Sequence, residues 1–461
     1  MFFLSLCSNI SQSRIQGCKG ASNDLRIRSC NLIRLPKEIL LAVLEEADVS
    51  DLISLSRTCS TLRCTAILVY LRCTGILCLD GTRHKVRLVG SLPADAISAL
   101  CTTPVCRRFN LDCDLVNIIR YGQRLRHLCT RSVQIPEIRV FVSEHSSFLE
   151  NGPSVLASLS ALLTSMTDCH CSAFLVEERM GIQSLSAIQF PKMPSYVRLH
   201  QGIQGFAASL HCLELSAAFF EAPCRWFLAF STSPSIRSLS IWGEACTEIS
   251  AHNLHTFLSH LALPHLEYLV IHPEVPFCVI IKFLSRHPQL KFLDMGGDRP
   301  CRPLTSPSDL TARHELTSLL CITSLTIPSI LVSLLFKNFQ VPSLEALDIW
   351  VGIGGLGTLD TALEATALHT RLNHLTLKVR FYDDISKCFR RLKPSVSLRG
   401  LEELEVDVRE GLCEPTTVVS ILLKCTSVPA LKCYYMTGIH PSMAERLPFY
   451  SEPYYQYFWQ F

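Results

Sequence analysis

The sequence LEYLVI at residues 266–271 shows the pattern that decides the fold: one apolar residue, two variable ones, a second apolar residue, a variable one and a third apolar residue. Ten copies begin at Leu185, Leu210, Ile236, Leu266, Leu290, Ile322, Leu344, Leu372, Leu401 and Leu431. Neighbouring copies start as little as 22 residues apart, at 322 and 344, and as much as 32 apart, at 290 and 322. Apolar residues that alternate in this way are typical of a short strand with one buried face.

Segments long enough for a helix lie between the copies, at 225–230, 276–286, 330–339, 358–368 and 416–425. Strands and helices that alternate at one period predict parallel strands on one side and helices on the other. The spacing falls around the roughly 20 to 29 residues of leucine-rich repeats. We therefore predict an α/β fold over 185–445, a right-handed leucine-rich-repeat-like α/β solenoid with a parallel sheet on its concave side.

The remaining segments flank this array. Residues 73–184 contain strand-like stretches at 76–79, 86–89, 138–142 and 173–177 and a helical one at 154–165, which we interpret as degenerate early repeats. Residues 1–30 have no periodicity and are expected to be disordered. Because terminal repeats need a cap to stay soluble, we expect the aromatic segment 446–461 to cover the end of the array through Tyr454, Tyr455, Phe458, Trp459 and Phe461. The alternative is that these aromatic residues reach over the concave face and hold a partner.

Composition bounds the class of protein. The 461 residues are 48% hydrophobic and only 18% charged, as expected where each repeat buries its neighbours. No run approaches the roughly 18 apolar residues of a membrane span, and the start lacks the basic region of a secretory signal. The 23 cysteines form no CxxC motif and are expected to stay reduced. We expect a protein of the cytoplasm, the nucleus or both, with no membrane partner and, at a net charge of +3, no nucleic-acid partner.

Motifs of enzymes are incomplete. Gly352, Gly354 and Gly357 spell GxGxxG between a strand and a helix, but the acidic residue that a dinucleotide site needs about 20 positions later is replaced by Lys378 and Arg380. We interpret the glycines as a tight turn. Other groups lack the spacing of a metal or catalytic site, namely His314 and Glu315 of an unfinished HExxH with Ser318 at its end, His252, His255 and His260, Cys169 to Cys171, and the pair Asp112 and Asp114. We expect no catalytic, cofactor or metal site.

A second informative segment precedes the array, LPKEILLAVLEEADVSDLISLSRTCSTLRC at residues 35–64. Its apolar residues have helical spacing, and Pro36 suits the opening turn of a helix. Asp48 and Ser50 offer capping side chains before a second helix. Two or three short helices bury little by themselves, so the segment needs a partner or the solenoid.

This segment resembles an F-box. The residues that match the F-box pattern are Leu35, Pro36, Glu38, Ile39, Leu40, Val43, Leu44, Asp51, Leu52, Leu55, Cys59, Leu62 and Arg63. With the repeats behind it, the chain is similar to fungal F-box proteins with leucine-rich repeats. The resemblance implies an F-box-like helical domain at 31–72 in a non-catalytic substrate-recognition subunit of a Skp-cullin-F-box type E3 ubiquitin ligase. That subunit would bind a Skp adaptor, through it a cullin-RING ligase, and an unknown protein substrate.

The resemblance also implies the adaptor contacts, which would be Leu35, Pro36, Ile39, Leu40, Val43, Leu44, Leu52 and Leu55. An alternative is an interaction scaffold in which the same helices merely cap the array. The asparagine that usually follows the last apolar position of a leucine-rich repeat is missing from these copies, so we expect the turns to close in another way.

The concave face is the predicted substrate surface. Residues between the buried positions of each copy point away from the helices. The candidates are Glu214, Tyr268, Phe292, Asp294, Asp348, His374, Glu403, Glu405 and Tyr435. Exposed aromatic and acidic side chains suit a partner with apolar and basic groups; the alternative is an ordinary solvated sheet.

Overall fold

The computed structural model describes residues 35–57, 60–80, 83–92, 94–102, 108–131, 134–142, 161–164, 170–178, 206–217, 220, 230, 233–243, 248–273, 275–296, 317–351, 356–380, 396–409, 426–437 and 457–460. The chain divides into two compact units, Met1–Val69 and Tyr70–Phe461. Several predicted features lie outside the described residues, namely segment 1–30, the copy at 185, helix 416–425, most of 154–165 and 225–230, Gly352 and Gly354, His314, Glu315, Cys169, Tyr454, Tyr455 and Phe461.

The first unit contains helices α1 (Lys37–Glu45) and α2 (Val49–Ser56), and the division between the units falls within α3 (Ser60–Cys73). Helix α1 begins after Pro36, whose carbonyl accepts the N–H of Leu40 at 2.9 Å. Asp48 is the N-cap of α2 by position, but its side chain makes no capping hydrogen bond. Ser50 lies inside the helix. The predicted helix start is therefore confirmed, whereas the predicted side-chain cap is wrong.

The second unit alternates strands with helices. Its strands are β1 Leu77–Asp80, β2 Arg83–Leu88, β3 Asn110–Asp114, β4 Glu137–Val142, β5 Ala173–Glu178, β6 Cys212–Ser216, β7 Ser238–Trp242, β8 Tyr268–Ile271, β9 Phe292–Asp294, β10 Thr317–Ser318, β11 Ser324–Pro328, β12 Phe339–Gln340, β13 Ala346–Val351, β14 His374–Arg380, β15 Val396–Ser397, β16 Glu403–Arg409, β17 Thr426–Ser427, β18 Cys433–Thr437 and β19 Tyr457–Gln460. Its helices are α4 Ala94–Thr102, α5 Leu115–Arg131, α6 Glu248–His260, α7 Phe277–Arg286, α8 Ser329–Asn338 and α9 Leu356–Thr366.

Among the described residues, fifteen of these strands form one sheet whose spatial order follows the chain. Pairing is parallel from β2 to β18, while β1–β2 at one end and β18–β19 at the other are antiparallel. The four two-residue strands pair separately, β10 with β12 and β15 with β17. Sequential parallel strands joined through helices make a leucine-rich-repeat-like solenoid, so the predicted fold class is confirmed.

The repeat pattern fixes the register of the sheet. Strands β6, β7, β8, β9, β11, β13, β14, β16 and β18 each begin two residues after the start of a predicted copy. The apolar residues then align across neighbouring strands, as Leu347 does with Leu325 and Leu375. All three are buried. Slipping a strand by one residue would turn these leucines to the other face, so hydrophobic burial selects this register.

The early region continues the same sheet. Strands lie at all four strand-like stretches of 73–184, as β1, β2, β4 and β5. The sequence pattern missed β3, which pairs in parallel with both β2 and β4. At the far end, β19 pairs with β18, the strand of the last repeat, from Cys433 opposite Gln460 to Met436 opposite Tyr457. Strand addition of this kind covers a sheet edge, and covering of the core by Phe458 and Trp459 stays a prediction.

Two asparagines on helices donate hydrogen bonds to the backbone of the preceding repeat. Asn253 of α6 is buried, and its side-chain amide donates to the carbonyl of Phe220 in the preceding repeat at 2.7 Å. Asn117 of α5 likewise donates to the carbonyls of Leu88 and Gly90, at 2.9 Å each. These bonds give backbone carbonyls of the preceding repeat a side-chain partner.

A turn precedes each repeat strand and often contains proline. Proline stands two residues before the first apolar residue of a copy at Pro234, Pro264, Pro288, Pro342 and Pro429. In the repeat of β8, for example, the N–H of Leu266 donates to the carbonyl of Leu263 at 3.1 Å across Pro264. Proline suits the second position of such a turn because its φ is already fixed there.

A buried histidine also joins neighbouring repeats. The Nδ1–H of His287 donates to the carbonyl of Phe283 at 2.8 Å, and its Nε2 accepts the N–H of Leu263 at 3.3 Å. Because the Nε2 atom accepts, the ring must be neutral. Burial accordingly lowers the pKa of His287.

This histidine predicts acid sensitivity. With a folded-state pKa below the unfolded value, its stabilisation is complete above the usual histidine range and is lost as pH falls through the folded pKa. We expect His287→Ala to cost about 1–3 kcal/mol at neutral pH, the penalty for unpaired buried groups, and to reduce the loss of stability in acid. Urea unfolding at neutral and mildly acidic pH measures both effects. The exposed His260 provides the control, and an unchanged pH profile in His287→Ala would contradict the prediction.

None of the helices in the described parts of the chain is both long and apolar enough to cross a membrane.

Candidate protein-interaction surfaces

The eight residues predicted to contact an adaptor differ in their exposure to solvent. Leu40, Leu44, Leu52 and Leu55 are buried. By contrast, Pro36 and Ile39 are exposed, with Ile39 52% accessible, and Leu35 and Val43 are half-buried. Val49 at the start of α2 is 44% exposed and was not among the predicted contacts.

Helical spacing explains this division. Leu40 and Leu44 lie four residues apart and share the buried face of α1, while Pro36, Ile39 and Val43 follow at steps of three and four on a neighbouring face. We call Pro36, Ile39 and Val43 the exposed stripe. A contiguous exposed apolar patch marks an interaction site, whereas single exposed apolar residues are common on protein surfaces. Nothing in the first unit tests an adaptor contact directly, so the contacts stay a prediction.

One face of the sheet in the second unit carries the residues that lie between the buried leucines, and we call it the open face. Two rows of residues on this face cross the strands in register from β6 to β16. The first row contains Cys212, Ser238, Tyr268, Phe292, Ser324, Ala346, His374 and Glu403. The second row contains Glu214, Ser240, Val270, Asp294, Thr326, Asp348, Thr376 and Glu405. Eight of the nine predicted substrate residues occupy these two rows. The ninth, Tyr435, is the register partner of Glu405 on β18, and its side chain lies outside the described part of the chain.

Aromatic side chains gather on β7 to β9. Tyr268 is 48% exposed, and its ring centroid lies 6.2 Å from that of Phe292. Trp242 is 37% exposed and meets the His272 ring edge-on at 4.2 Å. We call Trp242, Tyr268, His272 and Phe292 the aromatic patch. Accessible rings in this arrangement offer large apolar area that is already held in place by its neighbours.

A lysine, a carboxylate and an indole ring meet farther along the sheet. The Nζ atom of Lys378 lies 2.6 Å from Oδ2 of Asp348 and 5.5 Å from the centroid of the Trp350 ring. Thr326 donates to the same carboxylate oxygen at 3.4 Å. This part of the open face therefore holds a cation between a carboxylate and an aromatic ring, an arrangement stronger than an exposed ion pair.

Asp294 lies on β9 at the edge of this cluster. Its Oδ1 accepts the N–H of Gly296 at 2.7 Å. Burial raises the pKa of Asp294, against the opposing effects of that hydrogen bond and of Lys378. A Cβ atom at Gly296 would collide with the Trp350 ring, so the glycine allows the indole ring to lie against the backbone just after β9.

The raised pKa predicts that Asp294 costs stability at neutral pH. A carboxyl group whose pKa is higher in the folded than in the unfolded state stabilises the folded state only while the group is protonated. This contribution is lost as pH rises through the folded-state pKa. We expect Asp294→Asn, which keeps an acceptor for Gly296, to raise the midpoint of urea unfolding at neutral pH. The wild type and the variant are compared again in acid. A lower midpoint of the variant at neutral pH would show instead that the charged carboxylate is stabilising.

His374 and Glu403 form the next part of the face. The Nδ1 atom of His374 lies 3.0 Å from Oε2 of Glu403, and its Nε2 lies 3.0 Å from the Thr376 hydroxyl. Both side chains are partly exposed. These contacts fix the imidazole ring across strands β14 and β16.

Of the motifs that sequence analysis set aside, the pair Asp112 and Asp114 has defined partners in the structure. Asp112 and Asp114 are both buried on β3; Asp112 pairs with Lys85 at 3.1 Å, and Asp114 accepts the N–H of Gly90 at 2.5 Å. Within the described ranges, no three His, Cys, Asp or Glu side chains are grouped as metal ligands would be.

Sequence reasoning missed Trp242, Trp350 and Lys378. Each is the seventh residue counted from the start of its copy, one place beyond the hexapeptide. Because β7, β13 and β14 extend at least that far, the seventh residue lies on the open face with the third and fifth. A search at that position would have found them.

Comparison with known proteins identifies the helices that precede the sheet. A family model described as the F-box domain matches residues 32–73. Among solved structures, the leucine-rich repeat-containing protein LegL7 from Legionella pneumophila is 13% identical, covers 78% of this chain and 93% of its own, and superposes with a TM-score of 0.40. No curated protein sequence matches the chain. The protein thus carries an F-box domain followed by a leucine-rich-repeat-like solenoid, the latter defined by its own strand order and register.

Proposed function

We propose that this protein is the substrate-recognition subunit of a Skp-cullin-F-box type E3 ubiquitin ligase. F-box domains generally bind Skp adaptors, and the match over residues 32–73 is the observation that carries the proposal. The F-box would join the chain to the adaptor and, through it, to the cullin-RING ligase. The solenoid would hold a target protein for ubiquitination. Such a receptor makes and breaks no bond itself, and it would act in the cytoplasm, the nucleus or both.

The exposed stripe supports the adaptor contact in physical terms. Pro36, Ile39 and Val43 would enter an apolar groove of the adaptor as a helix face, together with the exposed Val49 of α2. The buried leucines of the same helices would keep that face in shape rather than touch the adaptor. A few apolar anchors usually account for most of the binding energy of such an interface.

The open face supports a receptor role for the solenoid. It combines accessible aromatic rings with carboxylates held in defined positions. Aromatic residues are enriched in the centres of protein interfaces, and charges around them favour partners of opposite charge. A second candidate is an interaction scaffold without a ligase role, which the same open face favours equally.

Co-purification tests the proposal. The full-length chain is co-expressed with a Skp adaptor and a cullin-RING pair, and the complex is followed by size-exclusion chromatography. We expect one stable assembly that contains the chain, the adaptor and the cullin. A well-folded chain that elutes without the adaptor would overturn the ligase proposal and favour the scaffold.

A further inference from the structure

We propose that the open face binds an extended, basic segment of a protein partner, with a lysine or arginine at about every third residue and an apolar side chain on the aromatic patch. This inference rests on the proposed function in one respect only, that the segment would belong to the ubiquitination target. Binding of the segment itself requires no adaptor.

Charge selects the class of partner. The second row contains Glu214, Asp294, Asp348 and Glu405 between β6 and β16, and no basic residue. Between β6 and β16, Lys378 lies on the same face farther toward the carboxyl ends of the strands, where it is the register partner of Trp350 and of Asp407. Arg139 and Arg87 continue the second row only on the earlier strands β4 and β2. The acidic stretch between β6 and β16 favours a basic segment and repels an acidic one.

Spacing of the carboxylates sets the period of the segment. Asp294, Asp348 and Glu405 stand on β9, β13 and β16, and one strand lies between each neighbouring pair. Two strand spacings amount to roughly 10 Å. A segment in the polyproline II conformation rises about 3.1 Å per residue and has three residues per turn, so every third side chain lies on the same side, at intervals of about 9 Å. A segment of this kind that runs across the strands therefore brings every third side chain to a carboxylate.

Lys378 shows how the face receives a cation. Its ammonium group lies between the Asp348 carboxylate and the Trp350 ring, at 2.6 Å and 5.5 Å. A lysine of the partner would find the same two groups. Since Lys378 already occupies them, it competes with the partner for Asp348.

The aromatic patch anchors one end of the segment. Phe292 precedes Asp294 by two residues on β9, so both point to the open face, and Tyr268 is the register partner of Phe292 on β8. An apolar side chain next to the first basic residue would lie against these two rings. Aromatic anchors beside charged groups are typical centres of binding energy.

Direct binding of a synthetic probe tests the inference. The probe is a fluorescent peptide with one leucine followed by lysine at every third residue, compared with a peptide in which glutamate replaces lysine. We expect anisotropy to show saturable binding of the lysine peptide alone, weakened by salt. Equal binding of both peptides, or no binding of either, would overturn the proposal.

Variants that are expected to change the affinity for the lysine peptide in opposite directions make the test more specific. Asp294→Asn and Glu405→Gln should each weaken binding about tenfold, a change of about 1.4 kcal/mol, because each removes a carboxylate of the row. Lys378→Met should strengthen binding severalfold, since it removes the competing ammonium and keeps an apolar stem against Trp350. Weaker binding by Lys378→Met would overturn the proposed competition. Glu364→Gln, an exposed change on helix α9, is the matched control and should bind like the wild type.

Adaptor binding of the same variants separates the two proposals. We expect all of them to co-purify with the Skp adaptor as the wild type does. A chain that retains the adaptor but ignores the lysine peptide would overturn this inference alone. A chain that binds the peptide but not the adaptor would overturn the ligase proposal and leave the peptide site standing.

Discussion

Replacing Ile39 with aspartate is expected to weaken binding of the Skp adaptor by about a hundredfold, close to 3 kcal/mol, while leaving the helices folded. Ile39 is 52% exposed and central in the exposed stripe. A carboxylate there would lose its water in an apolar groove without gaining a partner, which is costly. Titration of the purified adaptor by calorimetry measures the change, and circular dichroism confirms the fold.

Two further variants show whether the stripe itself is responsible. Ser54→Asp adds the same charge at an exposed position of α2 and should bind the adaptor nearly as well as the wild type. Leu44→Ala, at a buried position, should instead lower the free energy of unfolding by about 2–5 kcal/mol. Equal loss of binding in Ile39→Asp and Ser54→Asp would mean that added charge, rather than the stripe, is harmful.

Replacing Phe174 with alanine is expected to lower the free energy of unfolding of the second unit by about 3–5 kcal/mol. Phe174 on β5 is fully buried, with the Phe206 ring edge-on at 5.7 Å and the Phe230 ring stacked at 6.0 Å. The substitution leaves a cavity where three rings meet, so both dispersion contacts and burial are lost. Urea unfolding followed by intrinsic fluorescence measures the change.

The size of this effect reports on the early repeats. Phe174 precedes the first copy of the hexapeptide, at Leu185, whereas Phe206 and Phe230 belong to the array. A loss below about 1 kcal/mol would mean that β5 is not packed as one core with them. Leu320→Ala supplies the control, because Leu320 is 60% exposed and its truncation should change stability by less than about 0.5 kcal/mol.

Sequence alone predicted the solenoid because its signal repeats. A single hexapeptide such as LEALDI at 344–349 is ambiguous, but ten copies at similar spacing fix strands, register and burial together. Strand β3 was missed because Asn110, Asp112 and Asp114 are of residue types that are depleted in strands, and all three are nevertheless buried. Their burial depends on contacts with neighbouring repeats such as Lys85, which no local pattern reveals.

The candidate surfaces were predicted in part. The third and fifth positions of each copy identified the open face, yet the pairing of Asp348 with Lys378 joins residues 30 apart in sequence and required the register. In the F-box the apolar residues were found as a set. Their division into the buried Leu40 and Leu44 and the exposed Ile39 depends on how α1 packs, which composition does not determine.

The antiparallel strand β19 has a consequence for synthesis of the chain. Until residues 457–460 emerge from the ribosome, the backbone of β18 has its groups unpaired on one side. Open strand edges recruit other chains, and a solenoid that lacks β19 is exposed to this. Pairing of residues 457–460 with β18 thus converts an edge that can template aggregation into a paired one, and a chain that stops before residue 457 would be prone to self-association.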